Sequence, residues 1–368
     1  MTLQRDYDHT ILVLAVALTC FGLVMVYSSS SVMAAEKYQD GFHFLKRQGL
    51  FSVAGFALLA GFMRFDYHLW RKFAVVGLLC SALALILVLV PGIGAQINGA
   101  SRWIQLPGFN FQPAEAVKLA MVVYVAHSLA KKQDKVKTFK LGILPYMIVL
   151  SLLLGLLLMQ PDLGSAMTLA IVAGLMLLAA GTRISHMLYI ALLSLPFLYY
   201  AVWHVAYRRR RIMAFLDPWQ DPTDSGFQII QSLIAFGTGG LFGNGLGEGK
   251  QKLFYLPEAH TDFIFSVVGE ELGFAGVLVI TAMFLMLVLR GFRTALQAQD
   301  DFGRHLAFGI TTLLGLEAFI NIAVVMGLLP TKGLALPFVS YGGTSLLVTM
   351  AAVGILLNVS SQTKEGTS

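Results

Sequence analysis

Apolar runs long enough to cross a bilayer recur along the chain, with short polar segments between most of them. A transmembrane helix needs about 17–25 predominantly apolar residues. Ten runs approach this length, namely Ile11–Val32, Leu45–Phe62, Phe73–Val90, Ala114–Leu129, Leu141–Leu158, Gly164–Gly181, Met187–Val205, Phe263–Leu289, Leu306–Leu328 and Pro337–Leu357. The pattern predicts an all-α polytopic membrane protein, in which residues 1–368 form a single domain of about ten transmembrane helices.

The composition is that of a membrane protein. Hydrophobic residues make up 57% of the chain and charged residues 12%, whereas charged residues make up about 25% of a typical soluble domain. The net charge of +6 is modest, and the basic residues cluster in the connecting segments. No basic stripe with interleaved aromatic residues is present, so we expect no nucleic acid partner. Cys20 and Cys80 lie within apolar runs, where we expect them to be buried and unpaired.

The positions of lysine and arginine predict how the helices are oriented. Cytoplasmic loops carry more of these residues than outer loops do. With the N-terminus inside, the cytoplasmic loops contain Arg64, Arg71, Lys72, Lys131, Lys132, Lys135, Lys137, Lys140, Arg183, Arg290, Arg293 and Arg304. The short outer loops then contain only Lys37, Lys46, Arg47, Arg102 and Lys332. The bias predicts that both termini are cytoplasmic.

A long segment, residues 207–261, separates the seventh and eighth apolar runs, and parity places it on the outer side. It contains Arg208–Arg211, against the charge rule, but long loops cross the membrane largely regardless of charge. Apolar residues repeat at helical spacing in its middle, at Phe227, Ile230, Leu233 and Ile234. This spacing predicts a short helix that lies on the membrane surface.

Polar residues crowd at the start of the eighth apolar run, in the sequence LPEAHTDFIFSVVGEELG from Leu256 to Gly273. Asp262 lies where the helix is predicted to begin, at the rim of the bilayer. A carboxylate that is wet but close to low dielectric is suited to accept a proton. The alternative is that Thr261 or Asp262 caps the helix. Glu270 and Glu271 lie deeper, and the sequence does not indicate which of them faces protein or a cavity.

Charged residues also enter two other apolar runs. Glu115 and Lys118 are three residues apart near the start of the fourth run, so they share one helix face. A charged pair in the membrane marks, by default, a site that faces a cavity. The alternative is a shallow pair that reaches the headgroups. Asp162 directly precedes the sixth run, where it is expected to cap the helix.

The predicted topology places further polar residues on the outer side. Arg102 and Trp103 precede the fourth run, although Trp103 has the alternative role of an interfacial belt residue. Ser340 lies near the start of the tenth run, next to Gly342-Gly343, which predict a helix break or close packing. Together with Gln160–Asp162 and the long loop, these segments converge on one face. The convergence predicts a site on the outer face of the membrane.

Long strings spread over essentially the whole chain resemble the SEDS family of bacterial shape, elongation, division and sporulation proteins. They are LPEAHTDFIFSVVGEELG (Leu256–Gly273), LDPWQDP (Leu216–Pro222), SGFQIIQSLIAFGTGGLFGNGLG (Ser225–Gly247), QPAEAVKL (Gln112–Leu119), QPDLGSA (Gln160–Ala166) and LPFVSYGGTSLL (Leu336–Leu347). The combination of YLPEAHTDFIF with GLGEGKQK is more similar to the division branch. A sporulation protein is the alternative.

The resemblance implies a ten-helix peptidoglycan glycosyltransferase. Such an enzyme polymerises lipid II at the outer face of the bacterial cytoplasmic membrane, and in the division branch it serves septal cell-wall synthesis. The resemblance also implies that Asp262 is catalytic and that Trp103, Glu115 and Lys118 belong to the outer cavity. On the same face we expect the remaining substrate-binding residues, which are Arg102, Asp162, His260 and Ser340.

A mechanism follows as a hypothesis. Asp262 takes the proton of the acceptor sugar's 4-hydroxyl, and undecaprenyl pyrophosphate leaves. Lys118, Arg102 or Arg208–Arg211 would stabilise the charge of the leaving group, and position favours Lys118. The sequence contains no dedicated ligand cluster, so we expect no metal site and no cofactor beyond a divalent cation, Mg²⁺ or Mn²⁺, that would assist the pyrophosphate.

The resemblance implies several partners and a location. The partners are lipid II and the growing glycan strand, a transpeptidase of the class B penicillin-binding type, other division proteins and membrane lipids. The implied location is the division septum.

Two other functions are compatible with the pattern. A lipid II flippase would suit charged residues within the spans, but it needs cations deep in the bundle that are reachable from the inner side. A non-catalytic division scaffold that recruits a transpeptidase would suit the surface helix, but it gives no reason for Glu115, Lys118 and Asp262 together. The gathering of polar residues on one face favours chemistry there.

Overall fold

The computed structural model describes residues 7–97, 100–132, 135–252, 256–257 and 259–363. The α-helices in these residues are α1 (His9–Tyr38), α2 (His43–Arg64), α3 (His68–Leu89), α4 (Pro113–Lys131), α5 (Leu144–Met159), α6 (Leu163–Ala179), α7 (Ile184–Trp203), α8 (Ala206–Leu216), α9 (Phe227–Gly239), α10 (Ile264–Gln297), α11 (Asp301–Val325) and α12 (Gly343–Ser360). A π-helical turn, Phe139–Ile143, leads into α5.

Each of the ten predicted runs coincides with one helix, α1 to α7 or α10 to α12. Within the described ranges, seven helices have the length and mean hydropathy to cross a membrane: α1, α3, α5 with its π-turn, α7, α10, α11 and α12. The class of a polytopic helical membrane protein is therefore confirmed. The number of ten spans and the orientation of the termini stay predictions.

A small antiparallel sheet between α3 and α4 was not predicted. Its strands are β1 (Gly94–Ile97), β2 (Ala100–Leu106) and β3 (Phe109–Phe111), in the order β1-β2-β3. The turn from β2 to β3 contains Gly108, which has a positive φ of 91°. Strands of three to seven residues are too short to stand out from their apolar neighbours by alternation.

The long loop is more helical than predicted. The predicted surface helix is present as α9, which buries Ile229, Ile230 and Ala235 and leaves Leu233 and Ile234 exposed. It packs against α10. The additional helix α8 carries the four arginines Arg208–Arg211 and leads into a 3₁₀ turn, Pro218–Gln220.

Helix α10 is broken at Gly273, and the break attaches the glycine-rich segment of the long loop. Gly273 has φ 65° and ψ −164°, a conformation that is essentially restricted to glycine. In a continuous helix the amides of residues 274 and 275 would bond to the carbonyls of residues 270 and 271. Here these amides donate to the carbonyls of Gly240 and Leu241, while Asn244 and Gly245 donate to carbonyls 270 and 271. The loop thus replaces the helix's own hydrogen bonds.

The bundle has two ends that differ in chemistry. We call the end with the sheet and the long loop the sheet end (residues 94–97, 100–112, 160–162, 204–252, 256–257, 259–263 and 326–342) and the opposite end the termini end. At the termini end, Asp8 caps α1 and pairs with Arg290 at 2.8 Å. There too, Tyr67 donates to Asp300 at 2.6 Å, and residues 298 and 363 form a β-bridge. These contacts tie α1, α3, α10, α11 and α12 together away from the sheet end.

The predicted burial of the cysteines is wrong. Cys20 and Cys80 are unpaired, but both are exposed on the surface of the bundle. In a membrane protein the surface that faces lipid is as apolar as the core, so an apolar neighbourhood in sequence does not indicate burial. Helix α7 is the extreme case, since none of its residues is buried.

Replacing Gly273 with alanine is expected to destabilise the protein by about 1–3 kcal/mol through backbone strain alone. A Cβ atom at this position would lie 2.3 Å from the amide nitrogen of Gly243, in addition to the backbone strain. The measurement is thermal unfolding of the purified protein in detergent. Gly155→Ala in α5 is the matched control, because a Cβ there meets no heavy atom within 4 Å. Equal shifts for the two variants would contradict this account of the break.

Candidate active site

Asp262 lies at the sheet end, just before α10. The helix begins at Ile264 with Phe263 at its N-cap, so neither Thr261 nor Asp262 occupies the N-cap position. The Asp262 carbonyl accepts a hydrogen bond of 2.8 Å from Asn321 Nδ2 on α11. A Cβ atom on Gly333 would lie 3.1 Å from Asp262 Oδ2, so the carboxylate lies against the backbone of the α11–α12 segment. The N-cap position that the sequence assigned to Thr261 or Asp262 is thus taken by Phe263.

The two residues before Asp262 are fixed by the segment that precedes α12. Ser340 Oγ donates to the Thr261 carbonyl at 2.6 Å, and the Tyr341 amide donates to the His260 carbonyl at 2.9 Å. The His260 ring packs between Phe44 and Tyr341, with centroid distances of 4.6 and 5.6 Å. His260 and Ser340 therefore help to hold the main chain beside Asp262 in place.

Glu115 and Lys118 are deeply buried and have a third partner. Lys118 Nζ lies 2.8 Å from Glu115 Oε1 and also bonds to Glu317 Oε1 on α11. The Lys118 side chain is only 3% exposed, so it does not reach toward headgroups. Two carboxylates therefore neutralise one ammonium group inside the bundle.

This buried triad is coupled to Asp262 through α11. Asn321 is one helical turn after Glu317, on the same face of the helix. Its Nδ2 donates both to the Asp262 carbonyl and to the Leu334 carbonyl, the latter at 2.6 Å. One side chain thus joins α11 to the two segments that flank the carboxylate.

The turn between α5 and α6 forms another wall of the site. Asp162 caps α6, as predicted, by accepting from the Ser165 amide at 3.1 Å and the Ser165 hydroxyl at 2.8 Å. Arg102 on β2 donates to the carbonyls of Gln160 and Pro161. Trp103, the next residue on β2, is half-buried and pairs with Ala95 of β1. The sheet is therefore attached to the turn by Arg102.

Helix α8 brings its arginines to the same wall. The Tyr207 hydroxyl donates to the Pro161 carbonyl at 3.0 Å, and Arg211 donates to the Thr331 carbonyl at 3.3 Å. Arg208 and Arg211 both lie near the Tyr207 ring, at 5.7 and 5.8 Å from its centroid.

Lys332 follows Thr331 and is largely buried. Its Nζ lies 2.9 Å from the sulfur of Met167 on α6, and burial lowers the pKa of its ammonium group. Within the described ranges, Arg102, Arg208, Arg211 and Lys332 form no ion pair with a carboxylate. The wall beside Asp262 thus carries positive charge whose described contacts are carbonyl groups and, for Lys332, a thioether.

Sequence reasoning missed three contributors to this site: Glu317, Asn321 and Lys332. Glu317 had a readable signal, since a carboxylate in the middle of an apolar run demands a partner. Asn321 and Lys332 had no comparable signal, because an amide and a loop lysine are compatible with many environments. The unassigned Glu270 and Glu271 prove to be buried and bonded to the long loop. Glu258, in the same string as Asp262, lies outside the described residues.

No group of three or more histidine, cysteine, aspartate or glutamate side chains that could hold a metal ion occurs in the described residues. Asp262 and the diphosphate of a substrate would together supply oxygen ligands of the kind that Mg²⁺ prefers, because this ion is usually bound by one or two carboxylates plus substrate phosphates.

The whole chain is similar to known proteins. The FtsW/RodA/SpoVE family model, described as "Cell cycle protein", matches residues 8–365. A protein from Geobacter sulfurreducens named "Probable peptidoglycan glycosyltransferase FtsW" is 64% identical over 97% of this chain and 96% of its own length. The "Stage V sporulation protein E" of Bacillus subtilis is 44% identical over 98% of both chains.

A solved structure shares the fold. It is described as "Structural coordination of polymerization and crosslinking by a peptidoglycan synthase complex", and one of its chains superposes with a TM-score of 0.79 at 30% identity. The match covers 96% of this chain and 98% of that chain.

Replacing Lys118 with methionine is expected to destabilise the protein by about 3–5 kcal/mol, because it leaves Glu115 and Glu317 buried without a cation. Glu317→Gln is the matched control, since Lys118 keeps Glu115 and the new amide oxygen can still accept a hydrogen bond. Its cost should be roughly 1–3 kcal/mol. Denaturant unfolding in detergent compares the two, and a larger loss for Glu317→Gln would contradict the triad.

Proposed function

Because the chain belongs to the FtsW/RodA/SpoVE family of cell cycle proteins, we propose that it is a peptidoglycan glycosyltransferase of septal cell-wall synthesis. Its reaction is the polymerisation of lipid II into glycan strands. The sheet end then faces the outside of the cytoplasmic membrane and both termini face the cytoplasm. The relative that is 64% identical bears the name of this activity, which supports the proposal.

The observation that carries the proposal is the position of Asp262 beside cations that have no carboxylate partner among the described residues. The Asp262 carboxylate lies against Gly333, next to Lys332. Arg211 donates to the Thr331 carbonyl in the same segment. The Tyr207 hydroxyl, near Arg211, donates to the Pro161 carbonyl, which also accepts from Arg102. A base and an anion-binding wall in contact through one chain segment suit a reaction in which a hydroxyl attacks and a diphosphate leaves.

Asp262 acts as the general base. It takes the proton of the acceptor's 4-hydroxyl as that oxygen bonds to the anomeric carbon of the donor. The bond from this carbon to the diphosphate oxygen breaks, and its electrons leave with undecaprenyl pyrophosphate. A donor that is already activated as a diphosphate needs no covalent intermediate, so one carboxylate is sufficient for the protein's part.

The negative charge of the leaving group is stabilised by Arg102, Arg211 and Lys332, and Arg208 lies behind them. The sequence favoured Lys118, but its ammonium group is bonded to Glu115 and Glu317. Paired in this way, Lys118 holds α4 against α11 and stabilises the floor of the site. The four outer cations have main-chain or thioether neighbours, so a diphosphate meets no competing carboxylate on them among the residues that the structure describes.

The remaining substrate contacts follow from the same geometry. We assign these contacts to Arg102 and Trp103 on β2 and to Asp162 at the α6 cap. His260 and Ser340 join them, since His260 lies two residues before the base and Ser340 bonds to the Thr261 carbonyl. Asp262 would hold Mg²⁺ or Mn²⁺ together with the diphosphate of the substrate, since the described residues supply no separate cluster of ligands. When bound, the ion supplies further charge neutralisation of the leaving group.

The proposed partners follow from the family. A similar chain lies in a structure described by polymerisation and crosslinking within one synthase complex. We therefore assign to this protein a transpeptidase of the class B penicillin-binding type as partner, at the division septum with other division proteins and membrane lipids.

Asp262→Asn is expected to lower the polymerisation rate by about 10²–10⁴-fold, because the amide cannot accept the proton. The assay uses the purified protein with its transpeptidase partner and lipid II, and glycan strands are separated on a gel. Asp301→Asn is the control, since Asp301 lies at the opposite end and pairs with Arg304 on the surface.

Wild-type rates for Asp262→Asn would exclude it as the base. If the wild-type protein instead moves lipid II across vesicles and forms no strands, the chain is a flippase and the proposed activity is wrong.

Removing divalent cations with a chelator is expected to slow polymerisation by at least about tenfold, and added Mg²⁺ or Mn²⁺ should restore the rate. The unfolding temperature of the protein serves as the control and should not change, because the ion is held by substrate. An unchanged rate in the chelator would show that the arginines and Lys332 stabilise the diphosphate by themselves.

A further inference from the structure

A buried ion pair closes the segment of chain that contains Asp262. Lys252 Nζ lies 2.7 Å from Glu271 Oε1, and these residues are 19 positions apart. Asp262 is near the middle of the segment, ten residues after Lys252 and nine before Glu271. The pair thus joins the two ends of the segment that contains the base.

The pair is fully desolvated and includes the first helix. The Glu271 and Lys252 side chains are 0% and 5% exposed. Ser28 on α1 donates to both Glu271 oxygens at 2.7 Å and accepts from Lys252 at 3.1 Å. An ammonium and a carboxylate that share a hydroxyl inside the bundle have few alternative arrangements, because each is costly to bury without the other.

The adjacent carboxylate fixes the chain just before Lys252. Glu270 Oε1 accepts from the Lys250 amide at 2.7 Å, and its Oε2 accepts from the Gln251 amide at 3.2 Å. A Cβ atom on Gly249 would lie 2.8 Å from Glu270 Oε2, so the backbone passes directly over the carboxylate. Neighbouring carboxylates on α10 therefore hold three consecutive residues of the long loop.

The main chain at Thr261 and Asp262 is held by two further hydrogen bonds. Asn321 bonds to the Asp262 carbonyl, and Ser340 bonds to the Thr261 carbonyl. These bonds hold the main chain but leave open how the segment approaches it. The Leu256 amide in turn donates to the Gln251 carbonyl at 2.8 Å, so the described part of the segment is bonded back to the residue next to Lys252.

We propose that Lys252 and Glu271 are a positioning pair for Asp262, in an inference that rests on the proposed glycosyltransferase function. The pair acts through the segment it closes and does not touch substrate. Its loss shifts the base relative to the acceptor hydroxyl while the diphosphate wall stays in place. The consequence is a lower kcat with little change in KM, since a displacement of about 1 Å can cost on the order of 10²-fold in rate.

The test compares Lys252→Met, Lys252→Gln, Glu271→Gln and the exchanged pair Lys252→Glu/Glu271→Lys. Each is purified with the transpeptidase partner and assayed for polymerisation over a range of lipid II concentrations. We expect Lys252→Met to lower kcat by on the order of 10²-fold, with KM within about threefold of wild type. The glutamine variants, which can still form a hydrogen bond across the pair, should lie between.

The exchanged pair distinguishes positioning from a general loss of stability. It restores one positive and one negative charge in the same place, so it should recover kcat by at least about tenfold over Lys252→Met. Hydrogen exchange supplies a second readout. Amides of residues 259–263 should exchange faster in Lys252→Met, while those of α12 stay unchanged.

Arg290→Met is the matched control. It breaks the ion pair with Asp8 at the termini end, so it should lower the unfolding temperature and leave kcat unchanged.

Two results would overturn the proposal. One is a wild-type kcat in Lys252→Gln and Lys252→Met, with unchanged exchange at residues 259–263. The other is an exchanged pair that folds with the wild-type unfolding temperature but is no faster than the single variants. Both require that wild-type protein polymerises lipid II in the same assay, and the absence of strands there would instead refute the proposed function.

Discussion

The low dielectric of the bundle forces each buried charge to find a partner, and these partnerships determine the architecture of the sheet end. Lys118 satisfies Glu115 and Glu317, which joins α4 to α11. Lys252 satisfies Glu271, which joins the long loop to α10 and, through Ser28, to α1. A charge left alone in such a place costs several kcal/mol. The helices and the loop can therefore assemble with low energy only in arrangements that bring these groups together.

The same constraint separates the charges that stabilise the fold from the charges that are available to a substrate. Cations that are paired inside the bundle have no electrostatic capacity left for a substrate. Arg102, Arg208 and Arg211 are different, because they bond to main-chain carbonyls, which orient a guanidinium group without neutralising it. The site thus consists of a neutralised floor and a positively charged wall, with Asp262 held between them by α11. This division explains why Lys118, despite its position in the sequence, belongs to the floor.

Patterns within one stretch of chain predicted much of this structure, and contacts between distant stretches account for what was missed. The apolar runs predicted the helices, and Asp162 was identified as a cap from its own neighbours. The spacing of Glu115 and Lys118 predicted that they share a face, but Glu317 is 199 residues from Lys118. Nothing local indicates which of many carboxylates will meet a given lysine. The exposed Cys20 and Cys80 show the related limit that sequence does not distinguish lipid-facing from protein-facing apolar positions.

The break at Gly273 has a consequence for how this protein can vary. The long loop docks onto α10 through main-chain hydrogen bonds in both directions, from residues 240, 241, 244 and 245. Side chains play no part in these bonds, so substitutions at Leu241, Phe242 or Asn244 leave the docking intact. An insertion or deletion between Gly239 and Gly245 would instead shift the register of every bond at once. The exposed side chains of this loop can therefore vary freely in evolution, whereas the number of residues in the loop is tightly constrained.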